Sequence, residues 1–215
     1  MAKSKRRRLD QALVEAGLAP TRSRAQALIM AGKALVSGEV VHKASHQVPE
    51  GAELALKAPD HNYASRGGVK LAGALDHFGW DPTGLIVLDV GASTGGFTDC
   101  LLQRGAAHVI ALDVGYGQLD WKLRQDDRVT VMERANIRKT TPEDLLAAGA
   151  PALPQAAVVD VSFISLTKVL PPLLKLLPPR SPVTAPIKPQ FEAGKSEVGK
   201  GGVVRDPNLH REVIE

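Results

Sequence analysis

Cysteine and aromatic residues are the two classes that this sequence uses least. The 215 residues include a single cysteine, Cys100, and aromatic residues make up 4% of the chain. One cysteine excludes an internal disulfide and a cysteine-rich metal site, and it is compatible with a reducing cytoplasm. The spacing of four histidines does not match that of metal ligands, and these are His42, His46, His77 and His210. We therefore predict no metal site.

Long apolar runs are also missing. No stretch approaches the roughly 20 apolar residues that a membrane-spanning helix needs, and the most apolar helix candidate, 169–177, contains Pro171, Pro172 and Lys175. The basic N-terminus is not followed by the apolar segment of a secretory signal. Apolar residues make up 44% and charged residues 23% of the chain, as in ordinary globular proteins. We therefore predict a cytoplasmic protein of one or two domains without a membrane partner.

Acidic residues are scarce at the start of the chain. Residues 1–60 contain ten Lys and Arg against six Asp and Glu, whereas residues 61–215 contain seventeen of each. The whole excess of positive charge is therefore N-terminal, and such a cluster attracts phosphate backbones or acidic surfaces. The alternative is a solvated tail that only favours solubility. No acid interrupts the first basic cluster, which consists of Lys3, Lys5, Arg6, Arg7 and Arg8.

The most informative pattern is an apolar run that ends in an acid and opens into glycines. Residues 85–90 are apolar except for Asp89, and Gly91, Gly95 and Gly96 follow. This pattern predicts a buried parallel strand, a ligand-binding turn and a helix N-terminus. Glycine lets the backbone approach a ligand closely, although glycines after a strand also occur merely to make a tight turn.

The acids at the strand ends indicate which ligand the turn holds. Asp89 would repel a dinucleotide pyrophosphate but attract the two cationic groups of S-adenosylmethionine. Asp113 ends a second strand 24 residues later, where a Rossmann-like unit carries its acceptor for ribose hydroxyls. Asn136 follows the third strand, near the expected adenine; all three could instead cap helices or turns. The predicted cofactor site consists of Asp89, Gly91, Ser93, Thr94, Gly95, Gly96, Phe97, Asp113, Asn136 and Asp160.

Strands alternate with helices after residue 84. Strands are predicted to end near residues 89, 113, 133, 160 and 187, with helices near 97–103, 119–125, 142–148 and 164–177. This alternation predicts an α/β fold with a doubly wound, Rossmann-like sheet that binds ligands at the carboxyl ends of its strands. A sheet that binds S-adenosylmethionine usually has about seven strands, so we expect further strands beyond residue 215. A last helix is predicted to open at Asp206 and Pro207.

Three polar residues near strand ends suggest chemistry on a hydroxyl group. Asp160 ends the fourth strand, Lys188 ends the fifth, and Lys70 lies on the helix before the first. Two ammonium groups beside a carboxylate stabilise a developing alkoxide, as methyl transfer to a sugar hydroxyl requires. Taken alone, Lys70 could be a solvated helix lysine. A cytosine C5 methyltransferase needs a cysteine nucleophile, and Cys100 is predicted to pack within a helix. Enzymes of the common type that act on exocyclic amines carry Asn or Asp, then Pro-Pro, then an aromatic residue at the fourth strand, whereas this sequence has Asp160, Val161, Ser162 and Phe163 there.

Residues 7–56 are predicted to form a compact α+β unit with two helices, a hairpin and further short strands. Thr21 is the predicted cap of the second helix, and Arg22 and Arg24 lie in its first turn, where the helix dipole disfavours cations. The phosphates of an RNA would neutralise the positive charges of these two arginines. The alternative is that both side chains simply extend into water. Residues 8–10, 21–29 and 36–38 resemble an S4 RNA-binding domain. The predicted RNA-binding residues are Arg6, Arg7, Arg8, Arg22, Arg24, Lys33 and Arg66.

Four motifs resemble the TlyA or haemolysin A family, namely residues 65–71, 89–99, 160–165 and 188–192. Members of this family join an S4 domain to an FtsJ-like methyltransferase domain and methylate ribose 2′-hydroxyls of cytidines in ribosomal RNA. The resemblance implies an S4-like domain and a methyltransferase domain after a basic tail at 1–6, with a linker at 57–64. The domains would span 7–56 and 65–215. From the family's Lys-Asp-Lys-Glu tetrad it implies catalytic roles for Lys70, Asp160 and Lys188; the glutamate has no counterpart in these 215 residues.

These observations support three hypotheses of different classes. The leading one is an S-adenosylmethionine-dependent ribosomal RNA 2′-O-methyltransferase, with ribosomal RNA or ribosomal subunits as partner. The second is a non-catalytic RNA-binding or ribosome-assembly factor that keeps the fold, which the missing tetrad glutamate motivates. The third is a membrane-lytic protein, which the family's historical name suggests and the composition opposes.

Overall fold

A computed structural model describes residues 6–57, 61–194, 197–199 and 201–215. The chain divides into two compact units, Met1–Asp60 and His61–Glu215. The predicted tail residues Lys3 and Lys5 and the central linker residues 58–60 lie outside the described residues. None of the helices in the described ranges is long and apolar enough to cross a membrane.

The N-terminal unit combines two helices with short antiparallel strands around one apolar cluster. Its elements are β1 (Arg7–Arg8), α1 (Leu9–Glu15), α2 (Arg22–Met30), β2 (Ala34–Val36), β3 (Glu39–Val40), β4 (Gln47–Val48) and β5 (Leu54–Leu56). The strands form a sheet of order β3-β2-β5, and β1 pairs separately with β4. Leu9, Leu13 and Ile29 are fully buried between them. The hydroxyl of Thr21 accepts a hydrogen bond from the backbone N–H of Arg24 at 3.2 Å, so the predicted cap of α2 is confirmed.

The second unit is a parallel sheet with helices between its strands, which confirms the predicted α/β class. Its elements are α3 (Arg66–Phe78), β6 (Ile86–Val90), α4 (Gly96–Gln103), β7 (His108–Leu112), α5 (Trp121–Arg124), β8 (Val129–Met132), α6 (Pro142–Ala147), β9 (Ala156–Val159), α7 (Leu166–Leu174), β10 (Val183–Thr184), α8 (Pro189–Glu192) and α9 (Pro207–Glu212). The order is β10-β9-β6-β7-β8, and every pair is parallel. The order reverses between β6 and β9, and doubly wound sheets bind ligands at such a switch point.

Alternation along the strands builds one apolar core on each face of this sheet. Val87 of β6 packs in the cluster that includes Leu71 and Leu75 of α3 and residues of α4. Its neighbour Leu88 packs in the opposite cluster with Val169 and other residues of α7. Side chains of β6 at odd positions therefore face α3 and α4, and this alternation decides where the side chain of Asp89 goes.

Two details of the second unit differ from the sequence predictions. The helical spacing of Leu71, Leu75 and Phe78 predicts that all three share one buried face of α3. Phe78 is instead 71% exposed, at the last position before the helix ends at Gly79 with φ of +60°. The fifth strand was predicted to run to residue 187. It ends at Thr184, and the short helix α8 begins at Pro189 directly after Lys188.

Candidate active site

The turn after β6 depends on glycines because other backbone segments approach it closely. Gly91 and Gly95 have φ of +87° and +91°, a region that side chains disfavour. A Cβ on Gly91 would lie 3.0 Å from the carbonyl oxygen of Asp160, at the end of β9. A Cβ on Gly96 would lie 2.9 Å from the backbone nitrogen of Gly68 on α3. The turn is therefore fitted against both the fourth strand and the helix that carries Lys70.

Asp89 does not occupy the position that the sequence suggested. Its side chain has no exposed surface, and it lines neither of the two cavities described below. Because odd positions of β6 face α4, its Oδ2 accepts a hydrogen bond from the hydroxyl of Thr98 at 2.6 Å. Its Oδ1 is buried and has no hydrogen-bond partner within the described part of the chain. Burial raises the pKa of Asp89 to about 7. The prediction that this carboxylate meets the ligand at the mouth of the turn is therefore corrected.

Asp113 closes the other side of the turn. Its Oδ2 accepts a hydrogen bond from the backbone N–H of Ser93 at 2.8 Å, and its Oδ1 accepts one from the N–H of Gly115 at 2.7 Å. The carboxylate therefore links the end of β7 to the glycine turn. It also lines the larger cavity, where the sequence placed it.

A cavity of about 490 Å³ lies at the carboxyl ends of β6, β7 and β9. We call it the strand-end cavity. Its polar lining includes Gln118, which the sequence analysis did not single out and which accepts a hydrogen bond from the hydroxyl of Ser93 at 3.2 Å. Asn136 lines it as well, and its side chain also accepts a hydrogen bond from the N–H of Arg138 at 3.1 Å. Five of the predicted cofactor residues line this cavity, namely Gly91, Ser93, Asp113, Asn136 and Asp160.

A second cavity, of about 280 Å³, adjoins the first. We call it the lysine cavity, because Lys70 and Lys188 line it together with Asp160. The two cavities share Gly91, Ser93, Asp160 and Ser162 in their walls. The remaining predicted turn residues on the lysine side are Thr94, Gly96 and Phe97. The structure thus brings the three predicted catalytic side chains into one cavity beside the glycine turn, while Gly95 lies in the turn outside both linings.

Lys188 is held in place by three acceptors. Its Nζ lies 2.6 Å from Oδ1 of Asp160 and donates hydrogen bonds to the carbonyl oxygen of Val161 at 2.8 Å and to the hydroxyl of Ser162 at 3.1 Å. The ammonium group is therefore ion-paired with Asp160 and donates two hydrogen bonds, one to Val161 and one to Ser162. Lys70 forms no ion pair with any residue in the described part of the chain. The two lysines therefore differ: one is fixed against the carboxylate, and the other reaches the same cavity from α3.

Phe163 is a candidate functional residue to which the sequence analysis gave no role. It is 91% exposed although it is aromatic, and its φ of +65° is rare for a residue with a side chain. Its ring centre lies 5.2 Å from that of Phe191, and both rings line a shallow cavity with Arg138 and Lys168. The available signal was an aromatic residue three positions after Asp160 in a chain with few aromatics.

The residues predicted to contact RNA are surface residues with different surroundings. Arg8 and Arg22 form ion pairs with Asp10, and Arg7 pairs with Glu15. The other predicted side chains, Arg6, Arg24, Lys33 and Arg66, are exposed. Their contact with RNA stays a prediction. Within the described ranges, no group of three or more His, Cys, Asp or Glu side chains could hold a metal ion.

Two family models match the chain. The FtsJ-like methyltransferase model matches residues 63–215, and the S4 domain model matches residues 7–54. YqxC of Bacillus subtilis, to which an rRNA methyltransferase activity is ascribed, is 49% identical over 99% of this chain and 74% of its own length. The 16S/23S rRNA (cytidine-2′-O)-methyltransferase TlyA of Mycobacterium tuberculosis is 47% identical over 96% of this chain and 75% of its own length.

A further relative and a solved structure agree with these matches. Hemolysin A of Brachyspira hyodysenteriae is 41% identical over 96% of this chain and 84% of its own length. The structure of a hemolysin-like protein from Streptococcus thermophilus superposes with a TM-score of 0.71 at 44% identity, over 99% of this chain and 76% of that one. The resemblance seen in the sequence motifs is confirmed. The chain is a methyltransferase that belongs to the FtsJ-like family, in the TlyA or hemolysin A group that carries an S4 domain ahead of the methyltransferase domain.

Proposed function

We propose that this protein transfers a methyl group from S-adenosylmethionine to the ribose 2′-hydroxyl of a cytidine in ribosomal RNA. One observation carries the proposal: Lys70, Asp160 and Lys188 line a single cavity that shares a wall with the strand-end cavity. The 47% identical TlyA of Mycobacterium tuberculosis is named for this reaction, which supports the choice of nucleotide. Because the proposed substrate is ribosomal RNA, we expect the enzyme to act in the cytoplasm.

The strand-end cavity has the chemistry that S-adenosylmethionine requires. Among the described residues, Asp113 accepts two backbone hydrogen bonds. A carboxylate has about four acceptor positions, so Asp113 retains capacity for ribose hydroxyls. An apolar part of the cavity lining suits an adenine, and it consists of Leu112, Ile137 and Val169. The carboxylates of Asp113 and Asp160 favour a positively charged ligand. When bound there, S-adenosylmethionine would supply an electrophilic methyl group.

The lysine cavity has the chemistry that activates a hydroxyl. As the new oxygen–carbon bond forms and the carbon–sulfur bond breaks, the hydroxyl proton must leave and negative charge grows on the oxygen. The ammonium of Lys188, fixed by Asp160 at 2.6 Å, stabilises that charge without reorganising. Lys70 adds a second amino group in the same cavity. The hydroxyl proton passes to the carboxylate of Asp160, which is the member of the three that can accept a proton while both lysines are charged.

The N-terminal unit is the proposed RNA-binding part. It carries the excess of positive charge of the chain, it matches the S4 domain, and its Arg24 and Lys33 are exposed. In the described part of this unit, residues 6–57, no Phe, Tyr or Trp side chain is present for base stacking. Contacts to phosphates and to the shape of folded RNA are therefore expected to dominate over reading of bases.

The decisive test is methyl transfer by lysine variants of the full chain. Tritium from labelled S-adenosylmethionine is counted in ribosomal RNA, and Lys188→Met and Lys70→Met should each lower the rate by about 100-fold or more, the scale for loss of one charge-stabilising donor. Calorimetry should show nearly unchanged binding of S-adenosylmethionine. Lys175→Met, at an exposed position after α7, is the matched control and should retain full activity.

Three results would contradict the proposal. One is unchanged transfer by Lys188→Met, and another is a methyl group mapped by mass spectrometry to a base or to a nucleotide other than cytidine. The third is RNA binding by the wild-type chain without any methyl transfer. That last result would favour the non-catalytic RNA-binding or ribosome-assembly factor instead.

A further inference from the structure

A buried carboxylate in the N-terminal unit holds two of the arginines that were predicted to contact RNA. Asp10, in the first turn of α1, has no exposed surface. Its Oδ1 accepts hydrogen bonds at 3.0 Å from Nε of Arg8 and from the backbone N–H of Gln11. Its Oδ2 accepts bonds from Nη2 of Arg8 and Nη2 of Arg22 at 3.0 Å, and from Nε2 of Gln26 at 2.9 Å. These contacts, with Arg8 first, hold the pKa of Asp10 well below its ordinary value.

The partners of Asp10 come from two separate helix starts. Arg8 is the residue before α1, Arg22 is the first residue of α2, and Gln26 lies one turn further along α2. The carboxylate therefore ties the beginnings of both helices together. Because it is buried and fully bonded, it has no free acceptor with which to bind anything else.

The two arginines keep donors free for a partner. A guanidinium group has five N–H donors; Asp10 takes two from Arg8 and one from Arg22. Their side chains remain 39% and 53% exposed. Two guanidinium charges against one carboxylate leave a net positive charge at this point of the surface. The planar set of N–H donors on a guanidinium group that is held in place matches the oxygens of a phosphate.

We propose that Asp10 is a positioning residue for RNA recognition, which holds Arg8 and Arg22 side by side as one site for a backbone phosphate. Arginine side chains that are already ordered lose less conformational freedom on binding. The inference rests on the proposed RNA-binding role of this unit, which it deepens by naming an internal residue that contacts no RNA itself.

The sign of the effect of an Asp10→Asn variant separates this proposal from simple electrostatics. Removal of one negative charge makes the unit more basic, and net charge alone would then strengthen binding to RNA. Positioning predicts the opposite, because an amide accepts hydrogen bonds at one atom and leaves the two guanidinium groups unordered and mutually repelling. Glu15→Gln removes the same charge from the exposed pair that Glu15 forms with Arg7, and it is therefore the matched control.

The experiment measures fluorescence anisotropy of a fluorescein-labelled ribosomal RNA transcript with the full chain at several salt concentrations. Asp10→Asn should bind about tenfold more weakly, as expected when charge-assisted bonds are lost. The slope of log affinity against log salt should become less steep by roughly the amount that one phosphate contact contributes. Glu15→Gln should bind as tightly as the wild type or more tightly. Equal or tighter binding by Asp10→Asn would overturn the proposal.

A second pair of variants keeps the proposal testable if circular dichroism shows that Asp10→Asn is unfolded. Arg22→Lys retains the charge but loses the planar fork, so it should weaken binding several-fold. Arg180→Lys makes the same exchange at an exposed position of the second unit, outside the predicted RNA-binding residues, so it should bind like the wild type. Equal binding by these two variants would overturn the proposal. A wild-type chain that binds no ribosomal RNA would overturn both it and the RNA-binding role, whereas normal wild-type binding with unaffected variants would remove the role of Asp10 alone.

Discussion

Three aspartates follow the same sequence pattern at strand ends, yet their side chains have different surroundings. Asp113 and Asp160 each follow the last residue of a strand and line the strand-end cavity. Asp89 is the penultimate residue of β6, two residues earlier relative to its strand end, and it bonds to Thr98 of α4. Burial without a second partner raises the pKa of Asp89 to about 7. The sequence showed an acid near the turn, but Asp89 lies within the strand, where it is buried against Thr98 of α4.

The buried carboxyl of Asp89 should make the stability of the protein depend on pH. Since its pKa is raised in the folded state, the folded protein binds more protons than the unfolded chain between pH 4 and 7. Its contribution to the free energy of unfolding should therefore fall by about 1.4 kcal/mol per pH unit as the pH rises from 5 to 6. Asp89→Asn cannot titrate and keeps an acceptor for Thr98. Urea denaturation of both proteins at pH 5, 6 and 8 measures the difference, and parallel pH profiles would refute the assignment.

Phe163 should matter for activity but not for stability. An exposed ring that is held at positive φ beside Asp160 offers a stacking surface for a base of the RNA, and such stacking is worth about 1–3 kcal/mol per base by alanine substitution. We expect Phe163→Ala to lower methyl transfer to ribosomal RNA by about tenfold or more at an unchanged melting temperature. Phe78→Ala, at another exposed phenylalanine (71%), is the control. A similar loss in both variants would contradict a local role.

At the scale of elements, the sequence predicted what depends on local pattern. The helix cap at Thr21, the strand of β6 and the alternation after it follow from neighbouring residues, and the structure contains each of them. Helix α8 was missed because its four residues, Pro189–Glu192, carry no apolar periodicity. The network around Asp10 was also missed, because it joins residues up to sixteen positions apart and depends on how two helices pack.

Of the contacts between elements, the one between α3 and α4 should be most sensitive to volume added at the glycine turn after β6. A Cβ on Gly96 would meet the backbone nitrogen of Gly68 at 2.9 Å and the hydroxyl of Ser65 at 2.2 Å. Gly96→Ala should therefore destabilise the protein by about 1–3 kcal/mol, as overpacking does, and weaken binding of S-adenosylmethionine. Urea denaturation and calorimetry measure the two effects.

Gly73 provides the matched control on α3. A Cβ there would meet nothing within 4 Å, and alanine favours a helix interior over glycine by about 0.5–1 kcal/mol. Gly73→Ala should therefore stabilise the protein slightly and leave cofactor binding unchanged. If both alanine variants changed stability in the same direction, the close approach of α3 and α4 would not be the cause.

At the scale of the whole molecule, composition predicted which of the two units is basic better than it predicted the geometry of the site. The uneven charge and the S4-like motifs separate a basic unit from an electrically balanced one. Motifs that lie far apart in the sequence also predicted catalytic roles for Lys70, Asp160 and Lys188. It did not reveal that Lys188 pairs with Asp160 and donates hydrogen bonds to Val161 and Ser162, because that arrangement arises only where β9 and the segment before α8 meet.

The charge asymmetry predicts that RNA affinity and cofactor affinity can be changed independently. Replacing Arg6, Arg24 and Lys33 by Gln should lower affinity for a ribosomal RNA transcript by roughly tenfold or more at low salt and reduce the salt slope by about 2–3, because each lost phosphate contact contributes about 0.9 to the slope. The dissociation constant for S-adenosylmethionine should not change. The matched triple variant replaces Lys122, Lys175 and Arg180, which are exposed in the second unit, and so removes the same net charge. Equal loss of RNA affinity in the two variants would show that total charge, rather than the surface of the N-terminal unit, governs binding.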